Sequence, residues 1–436
     1  MLEEAHDDEQ IIERVAALDI GKAELVCCTR VPKPGGRGRL QEVSTWSTMT
    51  RALHLLGDRL VELGVTRVVM EATSDYWKPA FYALEAHEGL EVWVVNAREV
   101  KHLPGRPKTD VADAVWLCRL AERQMLRPSF VPPSAVRELR ALTRYRVVLV
   151  GDRTAEKNRV EKLLEDAQIK VSVVASDIFG VSGRAMLDSL VAGQRDPLVL
   201  AEHARGPMRR KITDLREAFT GNFTARHAFL LRQMLRRIDA LEADIGAVEA
   251  EIDGLIADQS ALHTSSEGAY GLPFRQAVTR LVEIPGFGRL TAIAVLAEIG
   301  LDMSRFPTAA HLASWAKVAP GIKQSAGKTK GNAGTGHGNP YLGRALGEAA
   351  IGASRTKTFL GERYRRIAKR RGKKRAMVAI ERSMLTIVWQ LLSDPQKTFV
   401  DLGADFFDRR VNTNRAKNNH IRQLEALGYK VTLEAA

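Results

Sequence analysis

Two interleaved heptad series limit most strongly how this chain can fold. Both lie between residues 229 and 256, repeat every seven positions and are offset from each other by three. The series are Leu231, Ile238, Ile245 and Ile252, and Met234, Leu241, Val248 and Leu255. Apolar side chains at this spacing form one stripe on an α-helix, which needs a second helix to cover it. That helix belongs either to a second subunit, in a coiled-coil dimer, or to residues 136–168 of the same chain. The length of the seam favours the dimer.

The charge of the chain indicates a polyanionic partner. Its 436 residues carry a net charge of +13 with a pI near 9.7, and the basic residues occur in clusters. Such a surface attracts nucleic acid or, less often, an anionic membrane surface. A chain of this length also predicts two or three domains rather than one core.

The cysteines and apolar runs indicate a location inside the cell. Cys27, Cys28 and Cys118 are too few for a disulfide framework and lack zinc-site spacing, so we expect buried thiols in a reducing compartment. The first residues, MLEEAHDDEQ, lack a signal-peptide pattern, and no apolar run approaches the roughly 18 residues of a membrane span. We expect a cytoplasmic protein associated with the nucleoid.

Residues 11–130 predict a mixed α/β domain. The predicted order is two strands around a turn at Gly21, a strand near 40–46, a helix over 50–63, the strand TRVVMEAT, the helix YWKPAFYALEA, the strand EVWVVNA and a helix from Thr109 to about Met125. A hairpin followed by alternating strands and helices predicts one mixed sheet with helices on its faces.

The remainder of the chain predicts an all-α region. Residues 134–258 form a helical, coiled-coil dimerisation region, and 275–395 form a compact, mostly helical C-terminal domain. Residues 396–436 form a tail with a loosely ordered stretch, DFFDRRVNTNRAKNN, followed by a short helix and strand in IRQLEALGYKVTL.

Four acids of the α/β domain form a candidate metal site. Asp19 and Glu71 each end a predicted strand, and Asp110 and Asp113 share one face of the following helix. Converging carboxylates need a cation, and Mg²⁺ or Mn²⁺ suits oxygen ligands and phosphodiester chemistry. Taken singly, each acid can equally serve a turn or a helix start. The order of the four acids resembles the carboxylate set of RNase H-like nucleases.

A glycine-rich segment carries a candidate nucleophile. Residues 321–343 read GIKQSAGKTKGNAGTGHGNPYLG and contain seven glycines, three lysines and no acid. Backbone N–H groups of such a run can approach a phosphate closely, although Walker A spacing is absent. Ser325 lies within this run as a candidate nucleophile. The alternative is that Ser325 is one loop serine among many.

Two further motifs indicate contacts with phosphates. LVEIPGFGRLTAIAVLAEIG predicts a helix-hairpin-helix, with Gly286 and Gly288 in a hairpin whose backbone amides can bind phosphate without reading sequence. The alternative is a plain helical turn within a core. The stretch RYRRIAKRRGKKR, residues 363–375, holds nine basic residues. Its nucleic-acid-binding candidates are Arg365, Arg366, Lys369, Arg370, Arg371, Lys373 and Lys374.

These motifs together resemble a known family, the insertion-sequence transposases with an N-terminal RuvC-like Asp-Glu-Asp-Asp domain and a C-terminal serine domain, which are bridge-RNA-guided serine recombinases. The resemblance covers nearly the whole chain. It is carried by LDIGK, VMEAT and KTDVADA, and then by IPGFGRLTA, LASWAKVAPGIKQSAGK and GNPYLGRAL.

The resemblance implies an RNase H-like fold for the first domain and a reaction for the whole chain. Asp19, Glu71, Asp110 and Asp113 would bind Mg²⁺, and Ser325 would attack DNA to form a transient 5′-phosphoserine link. Acids of one subunit would act with the serine of another, in a dimer or tetramer. A structured guide RNA would pair with donor and target DNA.

One departure from the family concerns the cations around Ser325. Further basic residues often follow the serine motif, where this chain has GNAGTGHGNP with His337 as its candidate cation. Lys328, Lys330 and Arg344 are the other candidates for positioning the phosphate. Two alternatives remain open: a RuvC-like junction nuclease that uses water, and a nucleic-acid scaffold without catalysis.

Overall fold

A computed structural model describes residues 11–35, 38–96, 109–257, 272–321, 324–325, 328–329, 334–407, 409 and 413–434. For 324–325, 328–329, 413–416 and 419 it describes the backbone alone. The chain divides into two compact units, Met1–Val131 and Pro132–Ala436.

The first unit is the predicted mixed α/β domain. Its strands are β1 (Val15–Ile20), β2 (Glu24–Pro32), β3 (Arg39–Ser47), β4 (Arg67–Glu71) and β5 (Glu91–Val95), and its helices are α1 (Thr50–Glu62), α2 (Trp77–Glu85) and α3 (Asp110–Glu122). The sheet order is β3-β2-β1-β4-β5. Strands β1–β2 and β2–β3 are antiparallel, whereas β1–β4 and β4–β5 are parallel. Gly21 N–H donates to the Glu24 carbonyl at 2.9 Å, which confirms the predicted turn.

Alternation along β1 assigns its side chains to two cores. Ala16, Leu18 and Ile20 pack with α1 and α2 on one face. Val15 and Ala17 pack with α3 on the other. Successive strand residues point to opposite faces, so this parity fixes the side on which each later residue of β1 lies. The cysteines are buried and free as predicted: Cys27 lies in the first core, and Cys28 and Cys118 in the second.

The second unit is mainly helical. Its helices are α4 (Ser134–Asp166), α5 (Val171–Val174), α6 (Val181–Val191), α7 (Pro197–Ala201), α8 (Ile212–Ala218), α9 (Ala225–Ala257), α10 (Phe274–Val282), α11 (Arg289–Ile299), α12 (Ala309–Trp315), α13 (Pro340–Ser354), α14 (Phe359–Arg371), α15 (Lys373–Ser393) and α16 (Thr413–Ala426). Two 3₁₀ turns (Gly206–Lys211 and Met303–Arg305) and the short strands β6 (Gln324–Ser325) and β7 (Lys328–Thr329) complete it.

The heptad stripe of α9 packs against α4 of the same chain, which is the intramolecular alternative. The predicted subunit seam stays a prediction. Leu231, Ile238, Ile245 and Ile252 are buried within this one chain. Both helices are 33 residues long. Ion pairs from Arg146 to Glu249 and from Arg153 to Glu242 flank the seam. Since positions rise along α4 as their partners fall along α9, the helices run antiparallel. The period of the sequence specifies an apolar stripe but leaves its partner open.

Helices α10–α15 surround one apolar core, and the tail returns to it. Phe359 at the start of α14 makes aromatic contacts with Phe406 and Phe407. The stretch expected to be loosely ordered therefore packs in part and then enters α16. Residues 429–434 contain no strand, contrary to expectation, because no neighbouring strand pairs with them in the described part. Over the described residues, no helix combines the length and apolar character needed to cross a membrane.

The α4–α9 packing yields a test of its intramolecular nature. Ile238 is 2% exposed and lies in the core shared by α4 and α9. Replacing Ile238 by Ala should lower the free energy of unfolding by about 2–5 kcal/mol, because a buried methylene cavity remains. Urea denaturation measures this loss. It should be the same across about a hundredfold range of protein concentration, since no subunit contact is involved.

The control is Phe229→Ala on the same helix, where the side chain is 58% exposed and little change is expected. A loss at Ile238 that disappears at high protein concentration would assign the seam to a subunit interface.

Candidate functional site

The sheet places Asp19 and Glu71 on neighbouring strands. Leu18 of β1 lies opposite Met70 of parallel β4, so Asp19 and Glu71 are the next positions of each strand. The parity of Val15 and Ala17 puts Asp19 on the face that α3 covers, and Glu71 follows the same parity as Val69 in that core. Both carboxylates therefore lie at the carboxyl ends of β1 and β4, on one side of the sheet.

The first turn of α3 supplies the other two acids. Thr109 is the N-cap as predicted, and its hydroxyl oxygen accepts from Ala112 N–H at 3.2 Å. Asp110 and Asp113 follow in the first turn, where the helix dipole favours negative charge. One turn further, Ala114 is buried against the sheet. The packing of α3 therefore brings its acidic start to the edge where the strands end.

The four acids lie close enough for their charges to influence Asp19. Burial, together with the nearby carboxylates of Asp110, Asp113 and Glu71, raises the pKa of Asp19 to about 6. Asp19, Glu71 and Asp113 are half-buried, and Asp110 is exposed. Like charges at this range disfavour ionisation of one another, so a proton or a cation stabilises the cluster.

The ligand types in the cluster suit a hard cation, but the distances between the side chains do not. All four candidate ligands are carboxylates, the donors that Mg²⁺ and Mn²⁺ prefer. Among the described residues, however, no group of three or more His, Cys, Asp and Glu is arranged to hold a metal ion as it stands. The suitable ligand types and the unsuitable arrangement are compatible if the carboxylates repel one another in the absence of a cation. A bound cation would then have to draw the side chains together.

The serine segment is more regular than its glycine content predicts. Ser325 lies in β6, paired in antiparallel register with Lys328 of β7. A glycine content this high disfavours regular structure, yet a short backbone ladder forms at these positions. The side chains of Ser325 and Lys328, and all of Lys330, lie outside the described residues.

The ends of the serine segment lie against each other. Lys317, before the segment, has φ +60°, an unusual conformation for a residue with a side chain. Gly338, near its end, lies so close that an added Cβ would be 2.6 Å from the Ala316 carbonyl oxygen. Lys317, His337 and Glu381 line a cavity of about 300 Å³ here. Burial raises the pKa of Glu381. The base of the segment is thus held closed by backbone contact.

A basic groove adjoins the serine segment. It has a volume of about 1090 Å³ and lies between α14, α15 and residues on both sides of Ser325 in the chain. Of these, Val318 and Pro320 precede the serine segment, whereas Gly334 and Thr335 lie within it, after Ser325. Its positive side chains are Arg363, Arg371, Lys374, Arg375 and Arg382, and no acid is among its described lining residues. Unbalanced positive charge over an apolar floor suits a nucleic-acid strand.

The predicted basic residues fall into two groups: some line or adjoin the groove, and others contact partners elsewhere. Arg371 and Lys374 line the groove, whereas Lys369, Arg370 and Lys373 are exposed beside it. Three others have partners of their own: Arg365 pairs with Glu362, the Arg366 guanidinium lies 4.4 Å from the centre of the Phe407 ring, and Arg344 pairs with Glu348. Arg344 lines a different cavity, among α4, α9, α11 and α13.

The two hairpin glycines have different structural roles. Gly286 has φ +92°, and a Cβ there would lie 2.1 Å from the Ala349 carbonyl oxygen of α13. This glycine therefore permits close helix packing. Gly288 is exposed, caps α11 and has open space where a Cβ would be. Of the two, Gly288 is positioned to offer helix N-terminal amides to a phosphate.

The sequence analysis missed Arg382, Glu298 and Glu381. Arg375 and Arg382 are seven residues apart on α15, a helical spacing that could have extended the basic face beyond residue 375. Glu298 follows an apolar stretch, TAIAVLA, which gives no sign of a buried polar site.

Comparison with known proteins agrees with the order of these motifs. Residues 16–169 match the family model DEDD_Tnp_IS110, described as a transposase. Residues 278–365 match a second model, the transposase IS116/IS110/IS902 family. The first match contains all four acids, and the second contains Ser325 and the hairpin.

Relatives match most of the chain at modest identity. It is similar to the transposase for insertion sequence element IS1111A of Coxiella burnetii, at 25% identity over 77% of this chain and 79% of that protein. It is also similar to an uncharacterized 42 kDa protein of insertion element IS900 of Mycobacterium paratuberculosis, at 28% identity over 72% of this chain and 79% of that protein.

The raised pKa of Asp19 predicts a magnesium-dependent gain in stability. A pKa of about 6 in the folded state, against 3.8 for an ordinary Asp, means that the folded chain binds more protons than the unfolded chain between these values. The free energy of unfolding should therefore fall as the pH rises from 3.8 to about 6, and Mg²⁺ should restore it at neutral pH. Thermal melts with EDTA or MgCl₂ measure both effects.

Asp19→Asn should remove the repulsion, so it should melt higher than the native chain in EDTA and gain less from Mg²⁺. The control Glu62→Gln removes an acid of α1, outside the site, and should leave the magnesium effect unchanged. Equal stabilisation of Asp19→Asn and the native chain by Mg²⁺ would show that the four acids do not form its binding site.

Proposed function

We propose that this chain, which belongs to the IS110/IS116 family of transposases, breaks and rejoins DNA with Ser325 as nucleophile and Mg²⁺ held by Asp19, Glu71, Asp110 and Asp113. The observation that carries the proposal is the closeness of two strand-end carboxylates to the acidic first turn of α3, where burial and the neighbouring carboxylates raise the pKa of Asp19. A domain that only bound DNA would gain nothing from acids facing phosphates.

An RNase H-like fold for the first unit is part of this proposal. An antiparallel β1–β2–β3 meander followed by parallel β4 and β5 supports it, as does the position of the acids at the carboxyl ends of β1 and β4. The hairpin between α10 and α11, with Gly288 at the start of α11, supports a helix-hairpin-helix that binds the backbone.

The proposed reaction exchanges one phosphoester for another. Ser325 Oγ bonds to the phosphorus and loses its proton, while the bond to the 3′ oxygen breaks and that oxygen takes up a proton. The product is a 5′-phosphoserine link that a 3′ hydroxyl of another strand can attack in reverse. Mg²⁺ would stabilise the negative charge that develops on the phosphate and the departing oxygen. Because the number of phosphoesters is unchanged, rejoining needs no nucleotide hydrolysis.

The groove supports a binding place for DNA, or for an RNA partner, on the second unit. Its five positive side chains lie beside residues that precede and follow Ser325 in the chain, so a strand bound there would pass beside the serine segment. We further propose that a structured guide RNA selects the DNA, in keeping with the net charge of +13, and that the protein acts as a homo-oligomer near the nucleoid.

Ser325→Ala should abolish the covalent protein–DNA species, because the attacking oxygen is lost, while leaving nucleic-acid affinity intact. Denaturing gels of the reaction with labelled DNA detect the adduct, and filter binding measures affinity. Asp110→Asn is the companion variant. It should fold and bind DNA but lose magnesium-dependent strand cleavage.

The outcomes separate three functions. Recombination by Ser325→Ala contradicts the assigned nucleophile. Cleavage without any adduct, still dependent on Asp110, identifies a RuvC-like nuclease that uses water. Salt-dependent binding without strand breakage in any divalent metal identifies a scaffold.

The groove predicts a change in salt dependence. Replacing both Arg371 and Lys374 by Ala should reduce the slope of log K against log salt by about 1–2 if each contacts one phosphate. Affinity should fall uniformly across DNA sequences, because backbone contacts carry no sequence information. The matched control replaces Arg355 and Lys357, two exposed cations outside the groove lining, and should alter the slope less. Equal slopes for the two double variants would show that the groove does not contact the nucleic acid.

A further inference from the structure

Glu298 is a buried carboxylate beside the serine segment. It lies at the end of α11, and its side chain is 2% exposed. A carboxylate this deep is costly unless positive and hydrogen-bonding groups surround it. Its polar contacts come from two other parts of the unit, α4 and the start of α13.

Helix α4 supplies the positive groups. Arg144 donates from Nε and Nη2 to the two oxygens of Glu298, each at 2.8 Å, in a bidentate pair. Arg140 lies 3.4 Å from Glu298 Oε2 and donates to the backbone carbonyls of Ala297 and Glu298 at 2.9 and 2.8 Å. The end of α11 is therefore fixed to α4 through both its side chain and its backbone.

Asn339 supplies the other contact. Its amide Nδ2 donates to Glu298 Oε2 at 2.5 Å. Its Oδ1 accepts from Tyr341 N–H at 3.0 Å and Leu342 N–H at 3.3 Å, which caps α13. Asp or Ser would cap a helix about as well as Asn. The amide donor is thus needed for the link to Glu298 rather than for the cap.

We propose that Glu298 is a positioning residue for Ser325: it fastens the exit end of the serine segment to α4, so that α4 determines where the segment presents its nucleophile. Asn339 is the last residue before α13, one position after Gly338, which closes the base of the segment. The Arg144 guanidinium also lies 4.7 Å from the centre of the Tyr341 ring, a second contact from α4 to the same point. This role rests on the proposed function of Ser325.

Exchange of donor and acceptor tests the link. Asn339→Asp keeps the cap but sets a carboxylate against Glu298, so the contact becomes repulsive. Glu298→Gln with Asn339→Asp keeps one negative charge in the cluster, and the new glutamine amide can donate to the new aspartate. The single variant should lose activity, and the double variant should recover it.

Two measurements distinguish positioning from general damage. At saturating DNA, the rate of adduct formation by Asn339→Asp should fall about tenfold or more, because a misplaced nucleophile loses its attack geometry. The dissociation constant for DNA should stay within about twofold, since the groove is untouched. Hydrogen exchange at residues 334–341 should quicken in Asn339→Asp and slow again in the double variant.

The control is Glu249→Gln, which removes another acid paired with an arginine of α4, Arg146, away from the serine segment. It should change neither the adduct rate nor exchange at 334–341. A double variant as slow as Asn339→Asp in both measurements would overturn the proposal, as would single-variant exchange equal to that of the native chain. If Ser325 is not the nucleophile, the adduct assay fails for the native chain too, while hydrogen exchange still tests the link.

Discussion

The packing of α3 on one face of the sheet is the constraint on which the proposed chemistry depends. Ala114, Leu117 and Cys118 fill that face against β1 and β4, so the start of the helix must lie at the edge where these strands end. Burial of apolar side chains thereby holds Asp110 and Asp113 near Asp19 and Glu71 against their mutual repulsion. Burial and these neighbouring carboxylates together raise the pKa of Asp19. Like charges held close together lower the stability of the fold, and such locally unfavourable arrangements are expected at functional sites.

The acid cluster could be predicted from the sequence because each part has a local signal. A strand that ends in a carboxylate, and a helix start with Thr109 before Asp110 and Asp113, are readable within a few residues. The parallel pairing of β1 with β4 supplied what the sequence could not, namely adjacency across fifty residues. The heptad stripe shows the opposite case. Its period specified a buried face but not its partner. In this chain α4 covers that face, and charged side chains on the flanks of α4 and α9 pair in antiparallel order.

Glycines and buried charges were the least readable features. Gly286 and Gly288 are alike in sequence, yet one accommodates the Ala349 carbonyl and the other leaves a helix start open. Only three-dimensional neighbours distinguish packing from ligand access. Glu298 gave no signal because its partners, Arg144 and Asn339, lie 154 and 41 positions away. The sequence predicted part of the groove, as a basic run. It could not predict that Arg382 lines the groove or that the serine segment lies beside it, because both depend on how α14 and α15 pack.

The serine segment joins these observations into one physical requirement. Seven glycines make such a segment costly to order, because glycine loses the most backbone freedom on folding. Fixing both ends reduces that cost before any ligand binds, since less chain remains to be ordered. The close approach of Gly338 to Ala316 holds the base, and the Asn339–Glu298 link fixes the exit to α4. The same glycines that raise the cost leave backbone N–H groups free of side-chain obstruction. A phosphate that bound this segment would therefore contact backbone amides in a stretch of chain whose two ends are already fixed by the helical core.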